Sequence, residues 1–152
     1  MSLYDSIDLF WTWDGDMATG SDGDIKDTSE DYLLSFRQEI ATVVKSETGD
    51  WESDPILGAT LSDFLGEPNS RENGEAIESR IAIKLVEAGV VQREDIDVKV
   101  TPVSVHQVMI MINVIVVGTT ANKMTANTVS VNLLYDTMEN NLFFMPPVTD
   151  TF

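Results

Sequence analysis

The hydrophobic period of the chain changes once, across "VVQRED" (Val90 to Asp95). Ahead of this point apolar residues recur every three or four positions; beyond it they recur every second position, the spacings of helix and strand respectively. A block of helices followed by a block of strands predicts an α+β domain, with an antiparallel sheet in its second half. Ile96, Val98, Val100 and Pro102 alternate with Asp97, Lys99 and Thr101, and Val129, Val131 and Leu133 alternate with Thr128, Ser130 and Asn132. Between them, Gln107 to Val117 places Val108, Ile110, Ile112, Val114 and Val116 on one face and Met109, Met111, Asn113, Ile115 and Val117 on the other. Both faces of that strand are largely apolar, so each requires a cover. A turn near Ser104 and a polar link, "GTTANKMTAN", separate the three strands, which predicts a C-terminal antiparallel meander.

Two amphipathic helices precede the sheet. The first has Thr28 or Ser29 as N-cap, acids in its first turn, Leu33, Phe36, Ile40, Val43 and Val44 on one face, and Gly49 as its stop. The second runs from about Arg71 to Ala88, with a stripe of Ile77, Ile81, Leu85 and Ala88 closed by Gly89. Between them lies a structured connector, Glu47 to Asn69. Asp54-Pro55 and Gly58 set its turns, Leu61, Phe64 and Leu65 form a short helical face, and Gly66 with Pro68 ends it. Residues 1–27, with "IDLFWTW" and the turn "GSDGD", predict an N-terminal β-arm or hairpin. Residues 28–135 form the core of a single domain. Residues 136–152, with the Pro-Pro break in "NNLFFMPPVTDTF", predict a tail that does not continue as strand but docks on this domain or a neighbour.

A length of 152 residues with 43% hydrophobic content fits one domain with its own core. Nine basic against 26 acidic residues give a net charge of −17. This charge repels nucleic acid and anionic membrane surfaces and leaves proteins as the expected partners. No cysteine is present, which removes disulfides, thiolate metal sites and cysteine nucleophiles. The N-terminus has no basic region ahead of its apolar residues, and the longest apolar run, about ten residues, is too short to span a bilayer; a soluble chain without a signal peptide is expected. Acid is unevenly distributed: Met1 to Asp31 holds nine acids and Lys26, whereas Val98 to Tyr135 holds Lys99 and Lys123 and no acid.

Three sets of residues suggest chemistry. Glu47, Asp50, Glu52, Asp54, Asp63 and Glu67 could supply the carboxylate pair of a glycosidase, but that requires one desolvated acid held beside a second. These acids lie among turn residues and charged neighbours, which favours solvated loop acids and helix caps. Asp14, Asp16, Asp22 and Asp24 could surround calcium, but a loop starting at Asp22 has Lys26 at its fifth position and Asp27 where glycine belongs; acidic turns without a metal are expected. His106 stands alone between two strands and reads as a turn residue. Trp11, Trp13 and Trp51 read as anchors in a core or a protein interface.

The order "GDI" (Gly23 to Ile25), helix, "SETGDW" (Ser46 to Trp51), "DPILGATLSDFLGEPN" (Asp54 to Asn69), helix, "DVKVTPVS" (Asp97 to Ser104) and an apolar strand resembles the baseplate wedge proteins that act as sheath initiators in contractile-tailed phages. Related components occur in contractile injection machines. The resemblance covers roughly Gly23 to Val117. Family members carry Glu-Pro-Arg just before the first sheet strand, as an anchor to the wedge core; here Arg93 is kept, with Val91 and Gln92 in place of the first two residues. The resemblance therefore implies wedge binding through Arg93 and Gln92. It also implies a connector packed by Trp51, Pro55, Gly58, Leu61, Phe64 and Pro68. The sheath-contact sheet would include Val98, Val100, Val108, Ile110, Ile112, Val129, Val131 and Leu133. What it implies is mechanical: copies form a ring in the virion's tail baseplate, assembled in the host cytoplasm, touching wedge, sheath and tube or hub proteins and templating the first sheath ring by strand addition. The family has carried a lysozyme-like label, but no catalysis, cofactor or metal is carried over. The rival expectations are a tail-associated peptidoglycan hydrolase and an anti-adaptor-like regulatory binder of similar fold.

Overall fold

The computed structural model describes residues 17–25, 32–120 and 123–145. The expected arm over residues 1–16, the helix caps Thr28 and Ser29, Trp11, Trp13, Asp14, Asp16 and residues 146–152 lie outside them. The described elements are α1 (Tyr32–Lys45), a 3-10 turn (Leu61–Phe64), α2 (Arg71–Glu87), a second 3-10 turn (Arg93–Asp95), β1 (Ile96–Pro102), β2 (Gln107–Thr120), β3 (Lys123–Asp136) and β4 (Asn141–Met145). The strands form one antiparallel sheet in the order β1-β2-β3-β4, each pairing with its sequence neighbour. The fold is α+β, a meander covered on one face by two helices.

Each helix is amphipathic for a reason visible in its residues. Ser70 caps α2 by accepting the Asn73 N–H on its side chain, and Gly89, with φ of 76°, lets the chain leave the helix in the left-handed region. Ile77, Ile81, Ala82 and Leu85 are the buried stripe of α2; Phe36, Ile40, Val43 and Val44 are that of α1. α1 lies over β3 and α2 over β1. Between helices and sheet, Val108, Ile110, Ile112, Val114 and Val116 of β2 pack with Val129, Val131, Leu133 and Tyr135 of β3. Each fully buried aliphatic side chain here contributes roughly 1.5–3 kcal/mol.

Two expectations are corrected. The polar link "GTTANKMTAN" is largely strand: β2 continues to Thr120 and β3 starts at Lys123, with Thr120 paired to Lys123. The long alternating segments set the register, and the main-chain ladder then continues through residues of weak strand preference. The described part of the tail docks on this domain, but as strand: β4 (Asn141–Met145) pairs with β3, with Leu134 opposite Phe143 and Tyr135 opposite Leu142. The prolines at 146 and 147 follow β4 and do not interrupt it.

The connector doubles back along the C-terminal end of α1. The N–H groups of Ala59 and Thr60 donate to the carbonyls of Val43 and Ser46. At Gly58, φ is 123°, and a Cβ built there would stand 2.6 Å from the Ser46 carbonyl oxygen, so only glycine lets the two backbones approach this closely. Arg80 of α2 holds the other side: it donates to Asp63 Oδ2 at 2.8 Å and lies 5.3 Å from the centre of the Phe64 ring.

Candidate functional site

The sheet ends in two unlike edges. At β1, the Val100 N–H points away from β2 and donates to Glu78 Oε1 of α2 at 2.8 Å, while the Val103 N–H donates inward to the Gln107 carbonyl. Antiparallel alternation then directs the peptide groups of Ile96, Val98, Val100 and Pro102 outward; Pro102 has no N–H to offer. Beside this edge, the first half of α2 and β1 enclose a cleft of about 420 Å³ lined by Phe64, Gly74, Ile77, Glu78, Val100 and Val108 among others.

The same alternation runs across the sheet. Met109, Met111 and Asn113 bond toward β1, so the peptide groups of Thr128, Ser130, Asn132 and Leu134 point away from β2. β4 pairs only with Asn132–Asp136, five of the fourteen residues of β3, leaving nine, Lys123 to Val131, with no strand beside them among the described residues.

The face opposite the helices carries Met109, Leu134 and Phe143 in one cross-strand row, with Met111 and Ile115 beside it. Ile115 and Phe143 are 49% and 51% exposed. Ser130 donates to Asn113 Oδ1 across this face at 2.7 Å. The only charged side chains that the described part of β1 and β2 presents there are Asp97 and Lys99.

The residues singled out in the sequence divide as follows. Val108, Ile110, Ile112, Val129, Val131 and Leu133 are buried, and Val98 and Val100 half-buried, all on the helix-covered face. Their side chains form the core, on the opposite face of the sheet from Met109, Met111 and Ile115. Arg93 and Gln92 are both exposed at the 3-10 turn that leads into β1. In the connector Gly58 and Leu61 are buried and Phe64 half-buried, whereas Pro55 and Pro68 are exposed and shape the chain without packing. Trp51 is 44% exposed, its indole N–H donating to Ser46 Oγ at 2.8 Å.

Several connector acids have local structural work. Glu47 Oε2 accepts from Ser62 Oγ at 2.5 Å, Asp50 Oδ2 accepts from the Glu47 N–H at 2.8 Å, and Asp63 pairs with Arg80. Asp22 and Asp24 cap the turn closed by the Thr19–Ile25 bridge, accepting from the N–H groups of Asp24 and Ile25. On α1, burial pushes the Glu39 carboxyl above its ordinary range.

A junction that the sequence did not announce lies where the connector and two sheet turns meet. The buried Tyr135 hydroxyl donates to the Leu61 carbonyl at 2.7 Å and lies 2.9 Å from Asn140 Oδ1. Gly66 N–H donates to the Thr137 carbonyl, Thr137 donates through N–H and Oγ1 to the His106 carbonyl, and Asn69 Nδ2 donates to the carbonyls of Ser104 and Gln107. Burial raises the Tyr135 hydroxyl to about 12, with the charges of Glu47 and Asp136 adding to it. Asp136 is held below the usual carboxylate range, chiefly by the N–H groups of Met138 and Glu139. His106 is exposed in the β1–β2 turn, as its position in the sequence suggests.

No protein-family model matches the chain, and no curated protein or solved structure matches it significantly. Among the described residues no helix is long and apolar enough to cross a membrane, and no group of three or more His, Cys, Asp or Glu side chains is placed to hold a metal ion.

Proposed function

We propose that the protein is a structural assembly component of a contractile tail, a sheath initiator that sits in the baseplate and offers its sheet to the first ring of sheath subunits. The observation that carries this reading is the second face of the sheet, where Met109, Met111, Ile115, Leu134 and Phe143 lie opposite the helix-covered core. Met109, Met111 and Leu134 are half-buried there and Ile115 and Phe143 exposed, and apolar side chains grouped on one sheet face in this way mark a surface for another protein. The acid-free sequence from Val98 to Tyr135 supports it, because on a chain of net charge −17 this is the region where a protein partner meets the least repulsion.

In this reading the two helices hold the sheet flat against their buried stripes, the connector fixes the helices to each other, and a partner's extended segment adds to the sheet through main-chain hydrogen bonds. Arg93, exposed at the entrance to β1, contacts the wedge through its planar guanidinium. Neither a hydrolase nor a regulatory binder gains a specific observation: the connector acids with side-chain partners hold the loop, and the α+β fold alone does not choose a function.

The test is genetic complementation in the producing phage or element. Deleting the gene should leave tails with tube and baseplate but without sheath. Arg93→Ala should restore folded protein but reduce its incorporation into baseplates. Normal sheathed tails from the deletion would contradict the assignment.

A further inference from the structure

The sequence contains a single Asn-Gly pair, Asn73-Gly74, and it stands in the first turn of α2. Glycine inside a helix is destabilising relative to alanine, so its presence there asks for a packing reason. The surroundings give none. Gly74 has ordinary helical backbone and not a left-handed one, and a Cβ built on it would lie 3.8 Å from Val100 Cγ1, a normal van der Waals contact. Space and backbone would both accept alanine.

What glycine does supply is an amide nitrogen with no side chain to shield it. An asparagine that precedes such a nitrogen can lose its side-chain amide without an enzyme. The Gly74 nitrogen, once solvent base has taken its proton, attacks Asn73 Cγ; the N–Cγ bond forms, the Cγ–Nδ2 bond breaks, and ammonia leaves with a proton drawn from water. Water then opens the cyclic imide at either carbonyl, giving aspartate or, with the backbone rerouted through the side chain, isoaspartate. Water enters, ammonia departs, and nothing is oxidised or reduced.

In the folded chain three hydrogen bonds hold the reacting groups. The Gly74 N–H donates to the Ser70 carbonyl at 3.0 Å, Asn73 Nδ2 donates to the Pro68 carbonyl at 2.8 Å, and the Asn73 N–H donates to Ser70 Oγ at 3.2 Å. The first keeps the proton on the nucleophile, and the second keeps the leaving amide turned toward the connector. All three belong to the first turn of the helix, where intrahelical partners are fewest and opening is local.

We infer that Asn73-Gly74 is a self-modification site, restrained by the cap of α2 and exposed to conversion at each local opening of the first turn. Isoaspartate lengthens the backbone by a methylene and breaks the helical spacing between Gly74 and Ser70, so conversion makes the opening permanent. It thereby loosens one wall of the cleft beside β1, which Arg71, Asn73, Gly74 and Val100 line.

The test holds the full chain at mildly alkaline pH, folded or in urea, and follows every asparagine by peptide mapping, with isoaspartate separated from aspartate by chromatography. In urea Asn73 should convert ahead of every other asparagine; in the folded protein it should convert at least roughly tenfold more slowly, because reaction waits for opening. Ser70→Ala, which removes the side-chain acceptor of the cap, should speed conversion in the folded state roughly fivefold. Gly74→Ala should leave Asn73 intact in the folded protein. Equal rates folded and in urea, a folded Ser70→Ala variant no faster than the unsubstituted chain, or another asparagine converting first in urea would each overturn the proposal. If circular dichroism shows that Ser70→Ala does not fold, the ratio of folded to urea rates in the unsubstituted chain decides, with Gly74→Ala as its control.

Discussion

Tyr135 shows how much one side chain joins in this molecule. Its ring is part of the core beneath the helices, and its hydroxyl ties β3 to the Leu61 carbonyl, 74 residues earlier in the chain. The period of two predicts an inward ring at this position, but nothing local in the sequence indicates the carbonyl it reaches. Tyr135→Phe leaves that carbonyl without its donor in a buried site and should lower stability by about 1–3 kcal/mol in a denaturant titration. The pH dependence has a definite sign. Burial raises the folded-state value from 10.0 to about 12. A group raised on folding gives its full contribution below its unfolded value and loses it as pH rises through the folded value. The stability difference between wild type and Tyr135→Phe should therefore be constant to about pH 10 and shrink toward pH 12. A difference that stays constant across that interval would contradict the buried, hydrogen-bonded hydroxyl.

At the scale of elements, the connector is the segment whose sequence is most informative about its own shape. Gly58 stands at φ 123° with no room for a Cβ beside the Ser46 carbonyl, whereas Gly66, at φ 77°, has open space around the same position. Gly58→Ala should cost about 2–4 kcal/mol and Gly66→Ala only about 1 kcal/mol, compared by chemical denaturation. Equal costs would show that backbone conformation alone matters and that the close approach to Ser46 does not. The α2 helix was legible almost to its ends, because the Ile77-Ile81-Leu85 stripe and Gly89 are strong local signals. β4 was not legible, because the Pro-Pro pair dominated a short segment whose strand character comes from pairing with β3. The β2–β3 hairpin was underestimated for the same reason: its far end is polar, and the ladder continues through it from the paired apolar half.

For the whole molecule, composition and periodicity reached the α+β class and the two-layer arrangement, since two helical stripes and an alternating sheet have few ways to bury one another. They did not reach which of the two apolar faces of the sheet lies under the helices. Val98, Val100, Val108, Ile110, Ile112, Val129, Val131 and Leu133 lie on the helix-covered face and Met109, Met111, Ile115 and Leu134 on the other, which period two alone does not distinguish when both faces are apolar. The loop junction around Thr137 and His106 was hidden as well, because it depends on main-chain bonds between segments far apart in sequence. The central claim is that this domain is a baseplate component whose sheet receives sheath arms. Cryo-electron microscopy of intact, uncontracted tails tests it most directly. The account predicts a ring of this chain around the tube at the base of the sheath, with a strand from a sheath subunit added to its sheet. Tails that lack the chain, or a ring whose sheet touches no sheath subunit, would contradict it.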